Sequence, residues 1–264
     1  MLTLSYRGNV NSFGYNFRFN ISYATNKLTK LDVPEGIADY QNSLGKPLNA
    51  TVGYLAMGLF QDQKEVDDWV NQFGSKPNVG DIKYADVSGD GEITEGDQLQ
   101  ISDNSGAPLV VYGFSSNFRW KNFDADIFFQ GAAKRDIMLG EEAMVFFRAE
   151  VNNSFAYLND YWTPENPGAK YPRPTIDYSN NNSRGSTFWL RNAAYLRLKS
   201  VNIGYSFNNL VWMKKRNMKL RVFAAAMNLL TWRPFKEFDP ELGDGTGRSY
   251  PQQRNISLGV NFSF

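Results

Sequence analysis

The residues best placed to do chemistry stand in one acidic stretch, Asp86-Val87-Ser88-Gly89-Asp90-Gly91-Glu92-Ile93-Thr94-Glu95-Gly96-Asp97. Oxygen donors at positions one, three and five, a glycine for the sharp turn at six and a carboxylate at twelve match the EF-hand-like calcium loop. Such a loop wraps oxygens around a hard cation, and the apolar Ile93 at position eight would anchor it. The candidate ligands are Asp86, Ser88, Asp90, the Glu92 carbonyl and Asp97. Asp97 is one methylene shorter than the glutamate that usually closes the loop. The pattern therefore predicts a weak structural calcium site, suited to ~10⁻⁴ to 10⁻³ M extracellular calcium and not to cytosolic sensing. The plainer reading is an acidic surface turn built on Asp-Gly pairs.

Most other chemistry is excluded. The chain has no Cys and no His, which removes disulfides, thiolate and imidazole metal sites, and Cys-His or Ser-His-Asp machinery. Carboxylates are plentiful, but Glu141-Glu142 and Asp67-Asp68 are neighbours in sequence, and neighbours do not approach a sugar from two sides. Phe238 to Leu242, FDPEL, reads as a turn around Pro240. A formal charge of +1 with no basic stripe points away from nucleic acid. The chain is expected not to be an enzyme.

The elements that must carry the loop are strands. No run approaches the ~20 apolar residues of a membrane helix, but barrel strands hide as ~10-residue segments of alternating character. Tyr15, Phe17, Phe19, Ile21 and Tyr23 alternate with Asn16, Arg18, Asn20 and Ser22. The same period of two runs through Phe114 to Trp120, through Phe123 to Phe129 with Phe128 out of phase, and through Leu220 to Ala226. It ends in Ile256, Leu258, Val260, Phe262 and Phe264. Between Tyr195 and Phe207 the apolar phase slips from Leu196 and Leu198 to Val201, Ile203 and Tyr205, which suits a β-bulge. With Leu2, Leu4 and Tyr6, this makes about seven strands.

Aromatic residues are 15% of the chain and cluster near the ends of the apolar faces, as membrane-interface girdles require. Connections alternate between short and long. Counting back from Phe264 in the periplasm, the segments from Leu229 to Gln252, Ala133 to Ala193 and Thr25 to Val111 fall outside the cell. Asn208 to Met218, Lys121-Asn122 and Asn9 to Ser12 fall inside. Bacterial barrels sort their loops in this way. The expected fold class is all-β, the C-terminal portion of an antiparallel transmembrane β-barrel. Residues 1–264 would form that one unit, with a loop insertion at 25–111 that carries the acidic loop at 86–97. The opening residues, Met1-Leu2-Thr3-Leu4, lack an export signal, so a fragment is expected.

Several segments resemble the SusC/RagA family of TonB-linked outer-membrane proteins. They are YLAMGLFQDQ (Tyr54 to Gln63), GDIKYADVSGDGEITEGD (Gly80 to Asp97) and WKNFDADIFFQG (Trp120 to Gly131), then YWTPENPGAKYPRP (Tyr161 to Pro174) and WLRNAAYLRLKSVNIGYSF (Trp189 to Phe207). AMNLLTW and FDPEL, between Ala226 and Leu242, complete the set. The resemblance covers nearly the whole chain in order; Ser88 and Gln98 depart from it, standing where Asn and Arg are common. Nothing in the chain resembles the family's plug or TonB-contacting segment. The resemblance implies a barrel of about 22 strands in the outer membrane. It also implies TonB-driven import of oligosaccharides or peptides with a SusD-like surface lipoprotein. From a different class, a secreted calcium-binding glycan-binding module of β-sandwich or dockerin-like type would also explain the acidic loop and Trp162, Trp189 and Trp232. A dockerin, however, needs two such loops, and one is present.

Overall fold

The computed structural model describes residues 1–32, 36–37, 42–48, 50–104, 106–146, 154–175, 181–207 and 218–264. Along the chain β1 (Leu2–Val10) and β2 (Phe13–Tyr23) are followed by six short strands, from β3 (Thr51–Gly53) to β8 (Leu99–Ser102). Then come β9 (Val110–Trp120), β10 (Phe123–Ala133), the short β11 (Asp136–Met138) and β12 (Leu190–Asn192), β13 (Tyr195–Phe207), β14 (Lys219–Trp232) and β15 (Asn255–Ser263). The seven long strands form one antiparallel sheet in the order β1-β2-β9-β10-β13-β14-β15. Each long strand pairs with its sequence neighbours among the long strands, so the sheet is a meander interrupted by insertions.

The register separates two chemistries. Reading straight across the sheet, Tyr6, Phe17, Ser116, Ile127, Val201, Ala226 and Ile256 lie in one row. The next row toward the tight turns on that face runs Gly8, Tyr15, Phe118, Ala125, Ile203, Ala224 and Leu258. On the opposite face Arg7, Asn16, Asn117, Asp126, Asn202, Ala225 and Ser257 lie side by side. A period of two on seven strands in one register therefore yields an apolar face and a polar face. Phe128, out of phase in the sequence, falls on the polar face beside Ser115 and Ser200. The slip expected in β13 is real: register shifts between Leu198 and Ser200 against β14, and opposite Phe128/Phe129 on β10. Lys199 is the residue set aside there.

The apolar face is uncovered. Leu258, Ile256, Val260 and Ile203 are 83%, 72%, 62% and 52% exposed. The other sheets are two-stranded, and among the described residues no second large sheet lies against this face as a sandwich would require. Phe13, Trp120, Phe123 and Tyr205 form an aromatic row beside Val10 at the end where Asn11-Ser12 and Lys121-Asn122 make tight turns, their first residues both left-handed at φ 53°. The segments 24–109, 134–194 and 233–254 all leave from the opposite end. The remaining connection of the sequence reading, at 208–217, lies outside the described residues.

The buried core lies off the sheet. All buried apolar side chains except Ala132 and Tyr195 belong to the long connections, among them Phe60, Ile82, Tyr84, Leu139, Leu158, Trp189 and Phe235. These connections form a folded cap. Trp189 stacks on Tyr171 at 6.1 Å and donates its indole N–H to the Asn182 carbonyl at 2.8 Å. Asp67 ends the short helix α1 (Gln63–Asp67), which is capped by the Asp62 side chain, and Glu141-Glu142 open a 3₁₀ turn. Both acidic pairs lie at short helical turns of the cap.

Candidate functional site

The acidic loop sits at the edge of this cap. It begins after β6 (Ile82–Tyr84), and Ile93, the residue at position eight, is fully buried in the core. β7 (Glu92–Ile93) pairs in parallel with β5 (Asn71–Gln72), and the Phe73 N–H donates to the Ile93 carbonyl at 2.8 Å. The apolar residue therefore anchors one side of the loop. Gly89 and Gly91 take φ of 75° and 87°, the left-handed region that a Cβ disfavours.

Asp86 closes the tip on itself. Its carboxylate accepts from the N–H of Gly91 at 2.9 Å, the N–H of Gly89 at 2.6 Å and the Ser88 hydroxyl at 3.2 Å. The Gly91 hydrogen bond first, with those of Gly89 and Ser88, holds the Asp86 carboxyl below the usual carboxylate range. Asp90 accepts the Glu92 N–H at 3.0 Å. Asp97 is fully buried and takes three backbone donors, Val87 at 2.8 Å, Ser88 at 2.9 Å and Thr94 at 2.8 Å. With Thr94 it forms a capping box for the 3₁₀ turn Glu95–Asp97. The structure thus brings Asp86, Ser88 and Asp90 together at the exposed tip and places Asp97 beneath them as a brace. Among the described residues, no three acidic side chains converge as a metal-holding group. The donors facing solvent are all oxygens, the chemistry a hard cation takes.

A second polar cluster joins cap and sheet. Arg197, on the polar face of β13 and 2% exposed, donates to Asp239 at 2.7 and 2.8 Å and to Glu241 at 2.6 Å. Lys199, the bulge residue, donates to Glu241 at 2.7 Å. Arg135 adds a hydrogen bond to the Pro240 carbonyl at 2.6 Å. The FDPEL segment, a turn in the sequence reading, is therefore also the acidic half of a clasp. Its signal was present: Arg197 stands alone between Leu196 and Leu198 on an otherwise apolar strand start, and a buried arginine needs carboxylates. Deeper in the polar face, Asn16 donates to Asn117 at 3.1 Å and Asn117 to Asp126 at 2.6 Å. Arg221 binds Asp124 and, at 2.9 Å, Asn202.

No family model matches the chain. It is 27% identical over 285 residues to the TonB-dependent receptor P26 of Formosa agariphila, covering 97% of this chain and 28% of that protein. It is 24% identical over 264 residues to the TonB-dependent receptor SusC of Bacteroides thetaiotaomicron, covering 96% of this chain and 24% of SusC. The chain thus spans about a quarter of the length of these curated relatives. Among solved structures it resembles the RagAB peptide transporter with a TM-score of 0.73 and 21% identity, over 99% of this chain and 28% of that one. The RagAB peptide importer in its "open-open" state gives 0.68 at the same identity and coverage. At this identity the likeness is one of fold. Wall, cap and relatives agree: over nearly its whole length the chain is similar to TonB-dependent receptors, SusC among them, and it shares the fold of the corresponding part of the RagAB structures.

Proposed function

We propose that this chain is part of the wall and outer cap of an outer-membrane importer, energised through TonB, that takes up oligosaccharides or peptides. The observation that carries this reading is the two-faced sheet. Its uncovered apolar face suits hydrocarbon, and its hydrogen-bonded polar face suits a wet interior. An 11-residue strand such as β2 is ~36 Å long, and at the usual ~45° tilt it spans ~25 Å, the height of an outer-membrane apolar band. In this reading the sheet is one arc of a closed barrel of about 22 strands, the cap faces outward, and the chain is the barrel's C-terminal part. A surface lipoprotein of the SusD type would sit on the cap. The relatives are receptors, and we read the chain as non-enzymatic.

The test uses the whole receptor that contains this segment. The segment has no native cysteine, so Ile203→Cys and Asn202→Cys place single labels within it on adjacent, opposite-facing positions. In vesicles, a nitroxide at 203 should collide freely with oxygen and poorly with a water-soluble nickel chelate, and one at 202 should reverse the preference. Equal accessibility at both positions, or recovery of the receptor in the soluble fraction, would sink the barrel reading.

The acidic tip is read as a weak calcium site formed by Asp86, Ser88, Asp90 and the Glu92 carbonyl, with Asp97 bracing the loop. Calorimetry on the receptor should show saturable calcium binding at ~10⁻⁴ to 10⁻³ M. Asp86→Ala and Asp90→Ala should each remove it, and unaltered binding in both variants would leave only an acidic turn.

A further inference from the structure

Where segment 233–254 arches over the polar face of β13 and β14, it encloses a cavity of about 460 Å³, within the ~300–1,000 Å³ range of small-ligand sites. Arg197 and Thr231 lie at its floor and Phe155 and Phe238 at one wall, and Arg233 and Arg254 line it together with the carboxylates of Glu237, Asp239 and Asp244. The cavity opens on the side of the sheet that the import reading assigns to the wet interior, and the inference rests on that reading. We propose that it binds a saccharide unit bearing an anionic substituent, a carboxylate or a sulfate.

Charge accounting singles out two arginines. Arg197 is neutralised by Asp239 and Glu241, and Glu237 is held by Arg191 at 3.2 Å. Asp244 accepts from the Thr246 hydroxyl and N–H, both at 2.7 Å, and from the Ser249 N–H at 2.6 Å. Burial alone would raise its pKa, but these hydrogen bonds outweigh burial and hold it at about 2, so its charge is committed to its own loop. Arg233 gives one N–H to the Phe238 carbonyl, and neither Arg233 nor Arg254 has a carboxylate partner among the described residues. Two guanidinium forks beside one cavity suit an oxyanion, which such forks bind in bidentate fashion.

The rest of the lining selects a sugar over a peptide. Phe155 and Phe238 meet edge to face at 5.1 Å and, with Leu242 and Pro251, offer apolar surface to the C–H face of a pyranose ring. At the floor β13 and β14 are each paired on both sides, so an extended peptide finds no free edge on them to join. Recognition falls to side chains, which suits a ligand that presents hydroxyls and an anion. The mouth is also held in place. Asn228 takes a left-handed φ of 53° in mid-strand, beside the β14 bulge, and donates its amide to the Gln253 carbonyl at 3.0 Å. This contact pins the residue next to Arg254 and sets that guanidinium at the rim.

The experiment measures calorimetric affinities of the detergent-solubilised whole receptor for four trimers: galactose, galacturonate, sulfated galactose and glutamate. At least one anionic sugar should bind ~10-fold or more tightly than neutral galactose, and Arg233→Met and Arg254→Met should each remove ~10-fold of that affinity, a larger loss than they cause for neutral galactose. Unchanged thermal melting of the variants shows that they are folded, and Arg233→Lys should retain part of the preference. Equal affinity for neutral and anionic sugars, tighter binding of triglutamate than of any sugar, or folded variants that bind as the parent does would each overturn the proposal. Membrane fractionation is scored separately. A receptor found in the outer membrane with no anionic preference defeats this inference alone, whereas a soluble receptor defeats the import reading beneath it.

Discussion

Arg197 enters β13 as a single charge between two leucines, and a guanidinium only 2% exposed is tolerable because Asp239 and Glu241 reach it from across the β14–β15 connection. Removing one member of a buried ion group strands the others, at a cost of ~3–5 kcal/mol. Glu241 also keeps Lys199 and is 20% exposed, which favours the lower end of that range. Arg197→Met should therefore lower cap stability by about 3 kcal/mol and free segment 233–248 for proteolysis, with the sheet left in place. Limited proteolysis and thermal melting read this directly, and a variant as resistant as the parent would show that the clasp is decoration. Asp97 teaches a related lesson. Its spacing is that of a calcium ligand, yet one missing methylene lets backbone N–H groups claim both oxygens.

At the scale of the strand, position parity governs what a residue can be. Ala225 and Ala226 are neighbours of equal size, but Ala226 shares a row with Ile127, Val201 and Ile256, and Ala225 shares one with Asp126, Asn202 and Ser257. An arginine near the middle of a lipid-facing strand costs ~2–4 kcal/mol, and one facing the interior costs little. Ala226→Arg should thus lower refolding stability in lipid vesicles by about that amount, and Ala225→Arg should be nearly neutral. Equal effects from denaturant titration would contradict the assignment of faces. Strand existence, phase and even the bulge at Lys199 were legible in the sequence, because a period of two is a local property. The short pairings inside the cap were not. β3 and β8 are three and four residues long, too short to show a period, and each depends on its partner's arrival from far along the chain.

For the whole molecule the decisive features are two open edges and an uncovered apolar face. Among the described residues β1 and β15 each pair on one side only. An unpaired edge invites association in water and leaves backbone groups unsatisfied in hydrocarbon, at several kcal/mol each. The isolated 264-residue chain should therefore aggregate or require detergent, and should transport nothing. Size-exclusion chromatography with light scattering provides the check, and a monodisperse, detergent-free monomer would contradict the wall assignment. The cap has the opposite character, with a buried aromatic core of the kind that soluble domains form.

By itself the sequence determined the strands, their two faces, the sorting of long and short connections and the likeness to TonB-dependent receptors, since each rests on local alternation or on segments that can be read in order. Tertiary structure alone decided that the hydrophobic core lies in the connections, that Asp97 braces a loop and that FDPEL clasps Arg197. The physical reason is separation along the chain. Thr187 meets Tyr54 and Arg197 meets Glu241 only after the sheet has set the positions from which the insertions depart. Apolar residues scattered through such insertions carry no period to reveal which of them will meet.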